Sequence, residues 1–127
     1  MRSGSRRLIR RLAGPPRAHY TIGMAGIPRF CIGQVVRHKT FDYRGVVYDV
    51  DVEFSLSDQW YEQVARSRPP KDAPWYRVLV HGALHETYVA ERNLELDASG
   101  EPIAHPMLAE YFDEFRGDHY AKTRQLN

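Results

Sequence analysis

The chain has 127 residues, 43% of them apolar and 27% charged, which describes one globular domain able to bury roughly two-thirds of its unfolded surface and excludes a wholly disordered chain. Apolar runs of only a few residues exclude a transmembrane helix, and a lone Cys31 excludes both an internal disulfide framework and a Cys-rich zinc site while suiting a reducing cytoplasm. The formal charge of +2 is partitioned: residues 1–29 hold seven arginines and no acid, so residues 30–127 hold 11 basic and 16 acidic side chains, a net of −5.

Residues 1–29 are expected to form a basic leader without fixed structure, because Gly14-Pro15-Pro16 breaks any helix begun by the Arg/Leu stretch. Three readings stay open for it: an organellar transit peptide, an arm that grips phosphates, or sequence upstream of a true start at Met24. The folded domain is expected over residues 30–117. A short strand is predicted over 34–39, with Val36 and His38 on one face. Asp42-Tyr43-Arg44-Gly45 reads as a type I turn. Over 46–54 the alternation is the clearest in the chain, with Val46, Tyr48, Val50, Val52 and Phe54 on one face and Val47, Asp49, Asp51 and Glu53 on the other.

A helix is predicted over 57–66, capped by Ser57, with Asp58 in its first turn and Trp60, Tyr61 and Val64 as its apolar stripe. Residues 66–71 form a basic, proline-bearing loop. Strands are predicted over 75–80 and 85–90, joined through Gly82-Ala83-Leu84, with a short strand over 93–96. A last helix is expected to open at His105-Pro106 and to stop at Gly117, leaving 118–127 as a loose tail. Short strands, Gly-rich turns and one or two helices predict a mainly β domain, a small antiparallel barrel.

No catalytic constellation stands out. Cys31 lacks a base that would lower its pKa, so a small buried side chain is the simpler reading. His81 and His85 would face each other across a hairpin mouth, but a metal needs a third ligand and Glu86 points to the opposite strand face from His85. No metal, cofactor or enzyme activity is expected. The row Asp49, Asp51 and Glu53 reads as a solvated outer face that repels phosphates. Positive charge in the body is local: Arg37, Lys39 and Arg44 bracket the first turn around Phe41 and Tyr43, and Arg66, Arg68 and Lys71 share the proline loop. These six are the candidate phosphate contacts. Trp60, Tyr61 and Trp75 are the candidate protein-contact aromatics, with a core role the alternative for each.

Four segments then carry a resemblance: Phe30-Cys-Ile-Gly-Gln-Val-Val-Arg-His-Lys39, Tyr43-Arg-Gly-Val-Val-Tyr-Asp-Val-Asp51, Ala73-Pro-Trp-Tyr-Arg-Val-Leu-Val80 and Thr87-Tyr-Val-Ala-Glu-Arg-Asn-Leu94. In order and spacing they resemble the YccV-like hemimethylated-DNA-binding (HspQ-type) family. Residues 100–106 resemble its longer members. The resemblance implies an SH3-like barrel, no enzyme activity, and two roles: modulation of the ATP-dependent protease Lon and its substrates as a heat-shock adaptor, or recognition of hemimethylated DNA in replication control. It also implies oligomers, including trimers. The acidic body favours the adaptor role, because counterion release dominates DNA affinity.

Overall fold

The computed structural model describes residues 27–122. Most of the predicted leader, up to residue 26, and the tail from 123 onward lie outside the described residues. Strands β1 (Val35–His38), β2 (Arg44–Asp51), β3 (Trp75–Val80), β4 (Glu86–Ala90) and β5 (Leu94–Leu96) form one antiparallel sheet in the order β4-β3-β2-β1-β5. The protein is mainly β, as the sequence predicts. A 3-10 turn, Glu91–Asn93, joins β4 to β5 although they end opposite edges of the sheet. Val89 and Leu94, from those two edge strands, share a core with Val36, Val47, Val50, Tyr76 and Val78. That shared core means the sheet curls on itself in the manner of a small barrel. No ladder joins β4 to β5 among the described residues, so β4 pairs with β3 alone.

The perfect alternation read over 46–54 is broken. The β2–β3 register jumps between Val47↔Val78 and Asp49↔Arg77, leaving Tyr48 as the extra residue of a bulge. Val47 and Val50 consequently face one core, while Val46 and Tyr48 pack on the other side with Val35, Leu79, Ile103 and Phe112. The expected solvated acidic row is corrected with it. Asp51 is 1% exposed, because the chain after β2 folds back over it. Its Oδ2 accepts from the hydroxyls of Ser55 and of Tyr88, the latter at 2.7 Å, and lies 3.9 Å from Nη2 of Arg77. Asp51, with Asp49 3.9 Å from Arg77, is thus a counter-charge within the fold rather than part of a solvated outer face.

The turn after β1 also differs from the type I expectation. Arg44 already pairs with Arg37 in the ladder, so the reversal falls earlier, and Asp42 takes φ 59, a left-handed conformation that Asp tolerates. Helix α1 (Asp58–Val64) forms as predicted, with Ser57 Oγ accepting from the Trp60 N–H at 3.1 Å. The long last helix does not form. Only α2 (Leu108–Tyr111) is helical, and β6 (Glu114–Phe115) then pairs with β7 (Tyr120–Ala121) as a ribbon. The ribbon brings Phe112 and Tyr120 into one apolar cluster with Phe115 packed against it. Residues 118–122 are therefore part of the fold and not a loose tail. The ribbon seats on Gly33, at φ 99, whose carbonyl accepts from the Tyr120 N–H at 2.6 Å; a Cβ on Gly33 would stand 2.2 Å from the Tyr120 oxygen. Among the described residues, no helix is long and apolar enough to cross a membrane.

Candidate interaction groove

On the outer side of β3 the apolar surface is split. Leu79 belongs to the cluster under α2 and Trp75 to a second cluster under α1, with Arg77 between them beside Asp49 and Asp51. The α1 cluster is built from rings: Phe54 meets Trp75 edge-on at 4.9 Å, Trp75 stacks on Tyr88 at 5.2 Å, and Trp60 contacts both. The Arg77 guanidinium lies 4.7 Å from the Tyr88 ring centroid.

A groove of about 770 Å³ opens over these rings and along β4. One wall is the end of α1 with Trp60, Val64 and Arg66. The other is the first turn with His38, Phe41 and Tyr43. Phe41 and Val64 are 73% and 53% exposed, which leaves apolar surface at both rims. Tyr43 and Thr87 share a hydroxyl hydrogen bond of 2.7 Å, tying the first turn to β4.

His38 holds the turn. Its Nδ1 accepts from the backbone N–H groups of Thr40 at 3.1 Å and Phe41 at 3.0 Å, and its ring stacks on Phe41 at 4.7 Å. This geometry assigns the neutral tautomer with the proton on Nε2. Burial holds its pKa below the ordinary histidine value.

The expected phosphate contacts are mostly committed elsewhere. Arg37 pairs with Asp42 at 2.6 Å, Arg44 with Asp97 at 3.1 Å, Arg68 with Glu62 at 2.8 Å and Lys71 with Asp58 at 3.0 Å. Lys71 also sits 4.4 Å from the Tyr61 ring. Burial raises the Asp97 pKa, but hydrogen bonds from Ser99 and Arg44 outweigh that and hold it below the usual carboxylate range. Arg66 and Lys39 have no side-chain carboxylate partner among the described residues. Arg66 lines the groove, and the Lys39 N–H reaches the carbonyl of Asn93, which lines it too.

Of the three aromatics expected at a contact surface, Trp75 and Tyr61 are buried at 2% and 7% exposure. Their polar atoms are used internally: Trp75 Nε1–H donates to the Pro70 carbonyl at 3.0 Å and the Tyr61 hydroxyl to the Pro69 carbonyl at 2.6 Å. Only Trp60 lines the groove while partly exposed. Cys31 is exposed rather than buried, because the chain turns before β1 begins. The hairpin imidazoles do not face a common ion. His81 Nδ1 accepts from the Ala104 N–H at 2.9 Å, and the His85 carbonyl bonds the His105 ring at 3.0 Å. No group of three metal-ligating side chains occurs among the described residues.

Sequence reasoning missed the role of β4. Glu86, Thr87, Tyr88, Val89 and Ala90 all line the groove. Their alternation marks a strand, yet nothing in it says the strand is an edge, since that follows from the order of the sheet.

A family model described as "Hemimethylated DNA-binding protein YccV like" matches residues 28–119. Among curated proteins the chain is similar to F-box only protein 21 of Mus musculus, 32% identical over 99 residues, and to F-box only protein 21 of Homo sapiens, 31% identical over 99 residues. Each match covers 76% of this chain and 16% of the relative, so the chain corresponds to a small part of those proteins.

Proposed function

The chain belongs to the YccV-like hemimethylated-DNA-binding family, and from that premise we propose that it is a non-enzymatic, cytoplasmic protein-contact module that acts as an adaptor for an ATP-dependent protease of the Lon type. One observation carries this reading: the carboxylates of Asp42, Asp97, Glu62 and Asp58 occupy four of the six cations expected to hold phosphates, while an aromatic groove stays open beside them. An acidic body with paired cations gains little from counterion release, whereas ring-lined grooves supply the anchors of protein interfaces. The F-box relatives carry the matching stretch within much longer chains, which fits a transferable contact module. The test is degradation of a reporter substrate by Lon with and without the full chain. The adaptor reading expects a rate change of at least about twofold that saturates with added chain. An unchanged rate at saturating chain contradicts it.

The second reading is recognition of hemimethylated DNA, favoured by the family description and by Arg66 in the groove and Lys39 on the first turn, neither with a carboxylate partner among the described residues. It requires a duplex to bind at physiological salt with a preference for one methylation state.

A further inference from the structure

Two backbone bonds set the phase of β4: the Val80 N–H donates to the His85 carbonyl at 3.4 Å, and the Glu91 N–H to the Pro74 carbonyl at 3.0 Å. Between them the register pairs Val78 with Thr87 and Tyr76 with Val89. Antiparallel alternation then turns the backbone groups of Thr87 and Val89 toward β3, and those of Glu86, Tyr88 and Ala90 away from it. Among the described residues, no backbone bond reaches the outward groups of Glu86 and Tyr88, whereas Ala90 is buried beside Ala65 and caps the 3-10 turn. Natural sheets usually block such an edge with a charge, a proline or a covering segment. Here Glu86 puts one charge at the start of the edge and Ala90 packs beside Ala65 at its end, and between them the edge borders an apolar groove.

We propose that β4 captures an extended segment of a protein partner as an added strand, with apolar side chains entering the groove and an acidic side chain meeting Arg66. The proposal rests on the protein-contact reading and deepens it. Donors and acceptors at Glu86 and Tyr88 complement a polypeptide backbone, whereas a phosphate backbone offers acceptors only. The five residues of β4 span roughly 16 Å at strand rise, enough for a short peptide. The groove supplies apolar walls at Val64 and Phe41, and Arg66, without a carboxylate partner among the described residues, favours an acidic segment over a basic one.

The experiment uses the full chain and a fluorescein-labelled peptide of alternating valine and glutamate, followed by anisotropy and amide hydrogen exchange. Two further peptides are N-methylated, one on the valines and one on the glutamates. One of the two is expected to bind at least about tenfold more weakly and the other unchanged, because only one set of N–H groups faces β4. Exchange at Glu86 and Tyr88 slows on binding, while Thr87 and Val89, already bonded to β3, do not change. Arg66→Glu weakens binding about fivefold. Equal affinity for all three peptides, unaltered exchange along β4, or β4 amides protected beforehand by a second copy or by the chain's own leader overturns the proposal. A positive protease assay with unprotected β4 amides sinks this inference alone. Tight duplex binding with no protease effect sinks the reading beneath it.

Discussion

Nη2 of Arg44 stands 3.1 Å from the carboxylate of Asp97, and the same guanidinium reaches the carbonyls of Glu101 and Pro102. Asp97 is 9% exposed, so the pair pins the segment after β5 to the start of β2. Arg44 is thus a structural cation and not a free phosphate contact. Arg44→Leu leaves a buried carboxylate without its partner and is expected to cost about 2–4 kcal/mol in urea unfolding. Combining it with Asp97→Asn should recover part of that loss. A single variant of unchanged stability would contradict the assignment.

Glu62 and Asp58 pair with Arg68 and Lys71 on the exposed surface, and the proposed reading has these pairs withhold the cations from phosphates. The double variant Glu62→Gln, Asp58→Asn should therefore raise nonspecific duplex affinity about three- to tenfold and steepen the dependence of log K on log salt by about 1–2 units. An unchanged slope in a filter-binding titration would show that pairing is not what withholds these cations.

His38 makes the stability of the first turn depend on pH. Its folded pKa lies below the ordinary value because burial disfavours the imidazolium. Protonation also removes the acceptor used by the Thr40 and Phe41 N–H groups. The unfolded chain therefore takes up its proton first as pH falls, and stability declines from the unfolded pKa, about 6.5, downward. Above that value the contribution is complete. His38→Asn, whose amide oxygen replaces Nδ1 as acceptor, should flatten the fall in stability between pH 7 and pH 5 relative to the parent. Superimposable pH profiles of the two proteins would refute this.

The terminal ribbon is part of the domain. The Tyr120 hydroxyl accepts from the Ile103 N–H at 2.8 Å within an apolar cluster. Tyr120→Phe is expected to lose about 1 kcal/mol by thermal unfolding, and a chain ending at residue 117 should lose considerably more. Gly33→Ala is expected to cost at least as much as the hydroxyl, because its Cβ meets the Tyr120 carbonyl at a left-handed position. Truncation without a fall in Tm would return residues 118–122 to a loose tail.

Strand identity was legible where residues alternate within a few positions, as in β1, β3 and β4, and α1 was legible from Ser57 and its apolar stripe. Properties that depend on distant partners were not. The bulge at Tyr48 follows from fitting β2 to β3, and it carries Asp51 inward to Ser55 and Tyr88. The helical spacing of Met107, Leu108, Tyr111, Phe112 and Phe115 is equally satisfied by a one-turn helix and a ribbon, and packing against Gly33 decides between them. Candidate cations could be found by charge, but their carboxylate partners come from other elements, such as Glu95 for Arg37 and Asp97 for Arg44. The groove was unreadable because its floor is a sheet edge.

The proposed protein-contact role requires that the folded body offer little free positive charge to a polyanion. Titration of the full chain onto hemimethylated, fully methylated and unmethylated duplexes at physiological salt tests it most directly. Dissociation constants above about 10 µM with no ranking among the three, within the range of nonspecific binding, are expected. Submicromolar affinity with a clear preference for the hemimethylated duplex would contradict it.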